Sequence, residues 1–182
     1  MAAGATSAQD TLVAAPASEG TYWLGACVST VSGESDTTNQ CSAGVQVAVV
    51  AEKPDLTVIA PSVSDSSLTP GQNFTINVTV KNQGNATAFS SNLRYYRSSN
   101  ATISVSDTQL TTDFIASLDA GVSSAQNASI SAPGTAGTYW VGACADMVPD
   151  ESNINNQCSS GVQITVGQKE SFPWLLFYPA FF

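Results

Sequence analysis

The fold the sequence predicts is an antiparallel β-sandwich of immunoglobulin type, on three observations. Between Asp55 and Val166 lie seven short stretches of strand character, set apart by turn signals roughly every 8 to 12 residues. Apolar residues there alternate with polar ones, and no segment carries a convincing 3.6-residue period. The unit so bounded is 112 residues long, close to the usual size of one domain.

Leu56, Val58 and Val63 mark the first strand. Ser67 to Gln72 (SLTPGQ) reads as a turn, since Pro70 presets φ and Gly71 accepts a left-handed position. Phe74, Ile76, Val78 and Val80 then alternate with Thr75, Asn77, Thr79 and Lys81, the clearest half-buried strand of the chain. Asn82 to Asn85 (NQGN) ends it. Asn92 to Arg97 is a third strand, with Leu93 and Tyr95 on one face and Arg94 and Tyr96 on the other. Asp107 to Ile115 and Ser123 to Ser131 are weaker candidates. The segment opening with GTYW at Gly137 and the stretch Gly161 to Val166 supply the last two.

These last two strands occur twice. GTYWLGACVSTVSGESDTTNQCSAGVQVAV (20–49) and GTYWVGACADMVPDESNINNQCSSGVQITV (137–166) align without a gap, 117 residues apart. All four cysteines fall inside the copies, as Cys27 and Cys41 and as Cys144 and Cys158. Thirteen residues between cysteines do not match the short C-x2-C knuckles that close around zinc. The spacing favours two local disulfides, and with them an oxidising compartment, over free thiols or metal ligands.

Residues 3–49 match 120–166 at roughly half of the positions, but Pro54 to Leu118 has no counterpart before the first copy. The expected organisation is therefore a truncated repeat over 1–51, a linker VAEKP (50–54) and a complete sandwich over 53–167. An aromatic tail over 168–182 stands outside the domain. Its end, FPWLLFYPAFF, is too short and too rich in proline for a membrane helix. Such a chain reads as a piece of a longer repeat protein whose export signal lies elsewhere.

PDLTV, LTPGQNFTINVTVKNQGN, LRYYRSSNATISVSDTQLTTD and GTYWVGACAD with ESNINNQC, in that order, resemble the CARDB domain, the cell-adhesion-related domain of bacteria. The resemblance covers 53–167, and 2–51 resembles the domain's last part. It implies an immunoglobulin-like sandwich, usually in tandem, in secreted or surface proteins and often beside protease or glycan-degrading domains. It implies no catalytic residue.

Composition narrows the function further. A formal charge of −9 with five basic residues leaves no patch for nucleic acid. The absence of histidine removes imidazole bases and the usual catalytic zinc sites. Paired carboxylates such as Asp150 and Glu151 sit in a loop with no cleft to shift them, so no enzyme is expected. No run of 18 apolar residues offers a membrane span. The five N-x-S/T sequons, at Asn73, Asn77, Asn85, Asn100 and Asn127, are what chance gives in so Asn-, Ser- and Thr-rich a chain.

Two places could carry binding. The loop DMVPDESNINN holds Asp146, Asp150, Glu151, Asn153, Asn155 and Asn156, oxygens of the kind that take Ca2+. Its first copy has Ser29, Gly33 and Thr38 where the second has Asp146, Asp150 and Asn155. The retained Glu and Asn are accordingly expected to bond loop backbone, and no cofactor is expected. The second place is the outer sheet face, where Arg94, Tyr96, Trp140 and Gln163 could stack on a sugar or a partner domain. The plainer role for these residues is a cross-strand aromatic pair. The function expected is a non-catalytic extracellular adhesion or spacer module. The alternative is a carbohydrate-binding accessory module of a secreted hydrolase or protease. Expected partners are neighbouring repeats or domains, and surface polysaccharide or protein.

Overall fold

The computed structural model describes residues 4–168, so the tail expected over 168–182 lies, apart from Gln168, outside the described residues. The chain divides into two compact units at Ala51/Glu52.

The second unit is an all-β sandwich of two sheets, antiparallel apart from one short parallel pair. β3 (Leu56–Val63), β5 (Asn73–Asn82) and β8 (Ser123–Ser131) form one sheet with β5 in the middle. The other runs β4 (Ser67–Leu68), β10 (Val162–Val166), β9 (Gly137–Ala145), β6 (Ser91–Ser98) and β7 (Thr108–Ile115). The core lies between them. The alternation of β5 puts Phe74, Ile76, Val78 and Val80 inside, all fully buried, against Leu56 and Val58 of β3. From the facing sheet come Leu93, Tyr95, Ile115, Val141, Ala143, Ile164 and Val166.

Two details depart from the expected strands. Ser67–Leu68 is not merely turn: it pairs in parallel with Thr165–Val166, so the chain changes sheet before the Pro70-Gly71 turn. The turn itself forms as its residues dictate, the Gln72 N–H donating to the Thr69 carbonyl at 3.0 Å with Gly71 at φ +78°. β3 is also interrupted: between Ile59 and Ser62 its register against β5 slips, with Ala60 at φ +51°. Pro61, which has no N–H to give to a ladder, sits in that bulge.

Asn82, at the end of β5, is wholly buried and fully used. Its amide donates to the Ala86 and Leu118 carbonyls at 2.7 and 2.9 Å, and its oxygen accepts from the Asp55 and Gly84 N–H groups, each at 3.1 Å. A β-carbon on Gly84 would stand 2.3 Å from the Lys53 carbonyl, so NQGN closes over the start of β3 only with glycine there.

The first unit carries one hairpin, β1 (Gly20–Leu24) against β2 (Val45–Val49). Its register, Tyr22 opposite Val47, reproduces that of β9 and β10, where Tyr139 is opposite Ile164.

Candidate functional site

The repeated segment positions the cysteines. Beyond each GTYW strand the ladder continues to an isolated bridge, Cys27 opposite Cys41 and Cys144 opposite Cys158. Both pairs are disulfides, and no free cysteine remains. The loops so closed are held by matching bonds. Glu34 Oε2 accepts the Val31 N–H and the Gln40 amide, as Glu151 Oε2 accepts those of Val148 and Gln157. Ser42 Oγ accepts the Ala26 N–H, as Ser159 Oγ accepts that of Ala143.

The oxygen-rich loop is spent internally. Asp146 forms a forked ion pair with Arg94, Oδ1 to Nε at 2.6 Å and Oδ2 to Nη2 at 2.8 Å, and the Asn92 amide reaches the same carboxylate. The Arg94 bonds hold the Asp146 carboxyl below the ordinary carboxylate range. Asp150 lies at φ +61°, and its counterpart Gly33 at φ +87°. Their exchange therefore reflects a left-handed turn position that glycine and aspartate both enter. Among the described residues, no three Cys, Asp or Glu side chains are grouped to hold a metal ion.

The outer sheet face is arranged as the alternation predicts, yet it is not open. Tyr96 stands opposite Gly142, and Trp140 opposite both Ser98 and Gln163. Arg94, Tyr96, Trp140 and Gln163 thus share one side. Tyr96, however, is 3% exposed. It packs with Ile103 and Cys144, with Trp140 and Cys158 against them. The connection between β6 and β7 folds back over this side: Thr102 bridges to Ser160, and the Gly161 N–H donates to the Ala101 carbonyl at 2.9 Å. Glycine makes room for it. A β-carbon on Gly142 would lie 2.8 Å from Ile103 Cγ1 and 2.5 Å from Ser159 Oγ. Tyr96 and Trp140 thus belong to a small satellite core, Arg94 is paired with Asp146, and of the four residues Gln163 is the exposed one.

One open concavity lies at the edge of the same sheet. Arg97, Ser98, Ser99, Asp107, Thr138 and Tyr139 line a shallow cleft of about 340 Å³. The Arg97 guanidinium sits 5.4 Å from the centre of the Tyr139 ring. Sequence reading missed Arg97, although the strand period puts it on the side of Tyr95, with Val141 directly opposite. The cleft's cation and hydroxyls can hydrogen-bond a polar ligand, and the aromatic ring can pack against one.

A protein-family model described as CARDB matches residues 53–161. Among solved structures, the chain is similar to the CARDB domain of a Pyrococcus furiosus protein, crystallised in complex with di-metal ions, at 22% identity and a TM-score of 0.51. That match covers 66% of this chain and 100% of the other. A domain of a protein assigned to the cell surface in Methanosarcina acetivorans matches at 21% identity and a TM-score of 0.44, over 64% of this chain and 95% of its own. β-Glucosidase 3B of Thermotoga neapolitana matches at 14% identity and a TM-score of 0.45, over 69% of this chain but 17% of the enzyme. No curated protein matches.

Proposed function

The chain belongs to the CARDB family of cell-adhesion-related domains, and from that premise we propose that it serves outside the cell as a non-catalytic adhesion or spacer module. In this reading 1–51 is the last part of one repeat and 53–167 the next, within a secreted or surface repeat protein. Its partners are then neighbouring repeats or domains, and surface polysaccharide or protein.

One observation carries the proposal. The same disulfide-closed hairpin is built twice, 117 residues apart, with the same register and the same loop bonds. A disulfide-closed hairpin that recurs along the chain suits spacing and presentation, and disulfides persist where the surroundings are oxidising. The burial of Tyr96 supports the same view, because the sheet spends its aromatics on packing. The test is fractionation of cells making the parent protein, with an antibody against 53–167. The expected signal is at the surface or in the medium, in a form that shifts on a gel when reduced. A signal confined to the cytoplasm with reduced thiols would end the reading.

The cleft at Arg97 and Tyr139 favours a second reading, a carbohydrate-binding accessory module. A glycan array probed with the whole chain decides between them. Retention lost on Arg97→Ala would replace the first reading with the second.

A further inference from the structure

β6 carries two arginines, and the fold uses them differently. Arg94 shows what such a side chain takes when a partner is at hand. Its Nε and Nη2 donate to both oxygens of Asp146, at 2.6 and 2.8 Å. Arg97 has no such partner: it meets no carboxylate and donates no side-chain hydrogen bond among the described residues. It is nonetheless held, since its guanidinium lies 5.4 Å from the centre of the Tyr139 ring. That ring is itself tied down, the Tyr139 hydroxyl donating to the Thr135 carbonyl at 3.0 Å. A guanidinium so placed loses little freedom when its N–H fork takes up a planar anion.

The surroundings specify the rest of the ligand. Thr108 is directly opposite Arg97 on β7, and Ser99 and Thr138 also line the cleft. All three are exposed, and their hydroxyls have no partner among the described residues. Asp107, in the same lining, gives Oδ2 to the N–H and hydroxyl of Ser104, at 2.8 and 3.1 Å. Its Oδ1 accepts nothing among the described residues. A fork for one carboxylate, accompanied by hydroxyls and a second acceptor, is complementary to a sugar acid. A bare carboxylate, such as an aspartate side chain of another protein, leaves those hydroxyls and Asp107 unused. A chain of charge −9 also repels a densely anionic polymer, so the site suits a single uronate in an otherwise neutral glycan. Its 340 Å³ stands at the lower end of the roughly 300–1,000 Å³ of small-ligand sites, which fits one sugar residue.

We propose that the cleft at Arg97 binds a hexuronate residue of a glycan. The carboxylate sits on the Arg97 fork, and the ring hydroxyls on Ser99, Thr108, Thr138 and Asp107. The proposal rests on the reading of this cleft as a carbohydrate site and names the sugar it selects.

The whole oxidised chain is titrated with methyl β-D-glucuronide, with methyl β-D-glucoside and with an N-acetylated, C-amidated aspartate, followed by NMR amide shifts. The glucuronide should give saturable shifts at 97–99, 106–108 and 138–139. The glucoside, in which a hydroxymethyl group stands for the carboxylate, should bind about tenfold or more weakly, as loss of a charge-assisted hydrogen bond implies. Arg97→Lys, which keeps the charge without the fork, should weaken the glucuronide at an unchanged melting temperature. The comparison of ligands needs no variant, so it holds even where a substitution disturbs the fold. Equal binding of glucuronide and glucoside would overturn the choice of sugar and leave the carbohydrate reading standing. Equal binding of the aspartate would overturn the proposal in favour of a protein carboxylate. No shift with the glucuronide would overturn it too; a glycan still retained on the array would then preserve the carbohydrate reading, and an empty array would end both.

Discussion

The hydroxyl of Tyr95 is buried in the sandwich core with no hydrogen-bond partner among the described residues. Burial, aided by the nearby Asp113 carboxylate, pushes its pKa up to about 12. Each fact has a consequence. An unpaired buried hydroxyl costs roughly 1–3 kcal/mol, so Tyr95→Phe should leave the melting temperature unchanged or raise it. The alkaline behaviour follows by sign: the unfolded tyrosine ionises near pH 10 and the folded one only near 12, so the unfolded state sheds its proton first. Stability should therefore fall as pH rises from 10 to 12, by at most roughly 2–3 kcal/mol from this group, and that slope should be absent in Tyr95→Phe. Denaturant melts of both proteins across that range check it; an identical alkaline loss in the variant would show that Tyr95 is not its source. Asp150 teaches the complementary lesson. From sequence it resembled a cation ligand, and only its φ of +61° beside Gly33 at +87° reveals a position chosen for backbone conformation.

At the scale of elements, the strands were legible because period two is a local signal. The alternation of β5 gave its inward set correctly, and the same rule placed Arg94, Tyr96, Trp140 and Gln163 on one side. What lies over that side was not legible. The cover is Ile103, in a connection without alternation of its own, and it is held by long-range bonds at Ser160 and Gly161. The bulge at Ala60-Pro61 and the short parallel pairing of Ser67–Leu68 were hidden for the same reason, since both depend on partner strands. The two hairpins allow the cover to be tested against an internal control. A methyl on Gly142 would press into Ile103 and Ser159, whereas one on the matching Gly25 would come no nearer than 3.2 Å to its closest neighbour, Ser42 Oγ. Gly142→Ala should thus destabilise the sandwich by about 1–3 kcal/mol and expose Tyr96 and Trp140, seen as a red-shifted tryptophan emission. Gly25→Ala should do neither. Equal, small effects at both sites would mean that the 99–107 connection does not bear on the sheet.

For the whole molecule, length, turn spacing and alternation sufficed to read the sandwich, and the repeat sufficed to read its disulfides. Local text could not say how much each unit owes to its disulfide, because that depends on everything else packed around it. In the second unit the Cys144–Cys158 bond closes the β9–β10 loop within one sheet of a sandwich whose two sheets share a continuous core. In the first, the Cys27–Cys41 bond closes a two-stranded ribbon with Trp23, Leu24 and Val45 exposed. Closing a loop of this size contributes about 3 kcal/mol, a modest share of a domain's stability but more than a lone hairpin possesses. Replacing Cys144 and Cys158 by serine should therefore lower the melting temperature of the sandwich by roughly 10–20 °C while leaving one cooperative transition. Replacing Cys27 and Cys41 should leave that transition alone and release the amides of Tyr22, Leu24, Val45 and Val47 to exchange near the rate of an unstructured chain. Hydrogen exchange resolved by residue separates the two outcomes. Protection that survives in β1 and β2 without their disulfide would mean that the first hairpin is held by something other than its own crosslink.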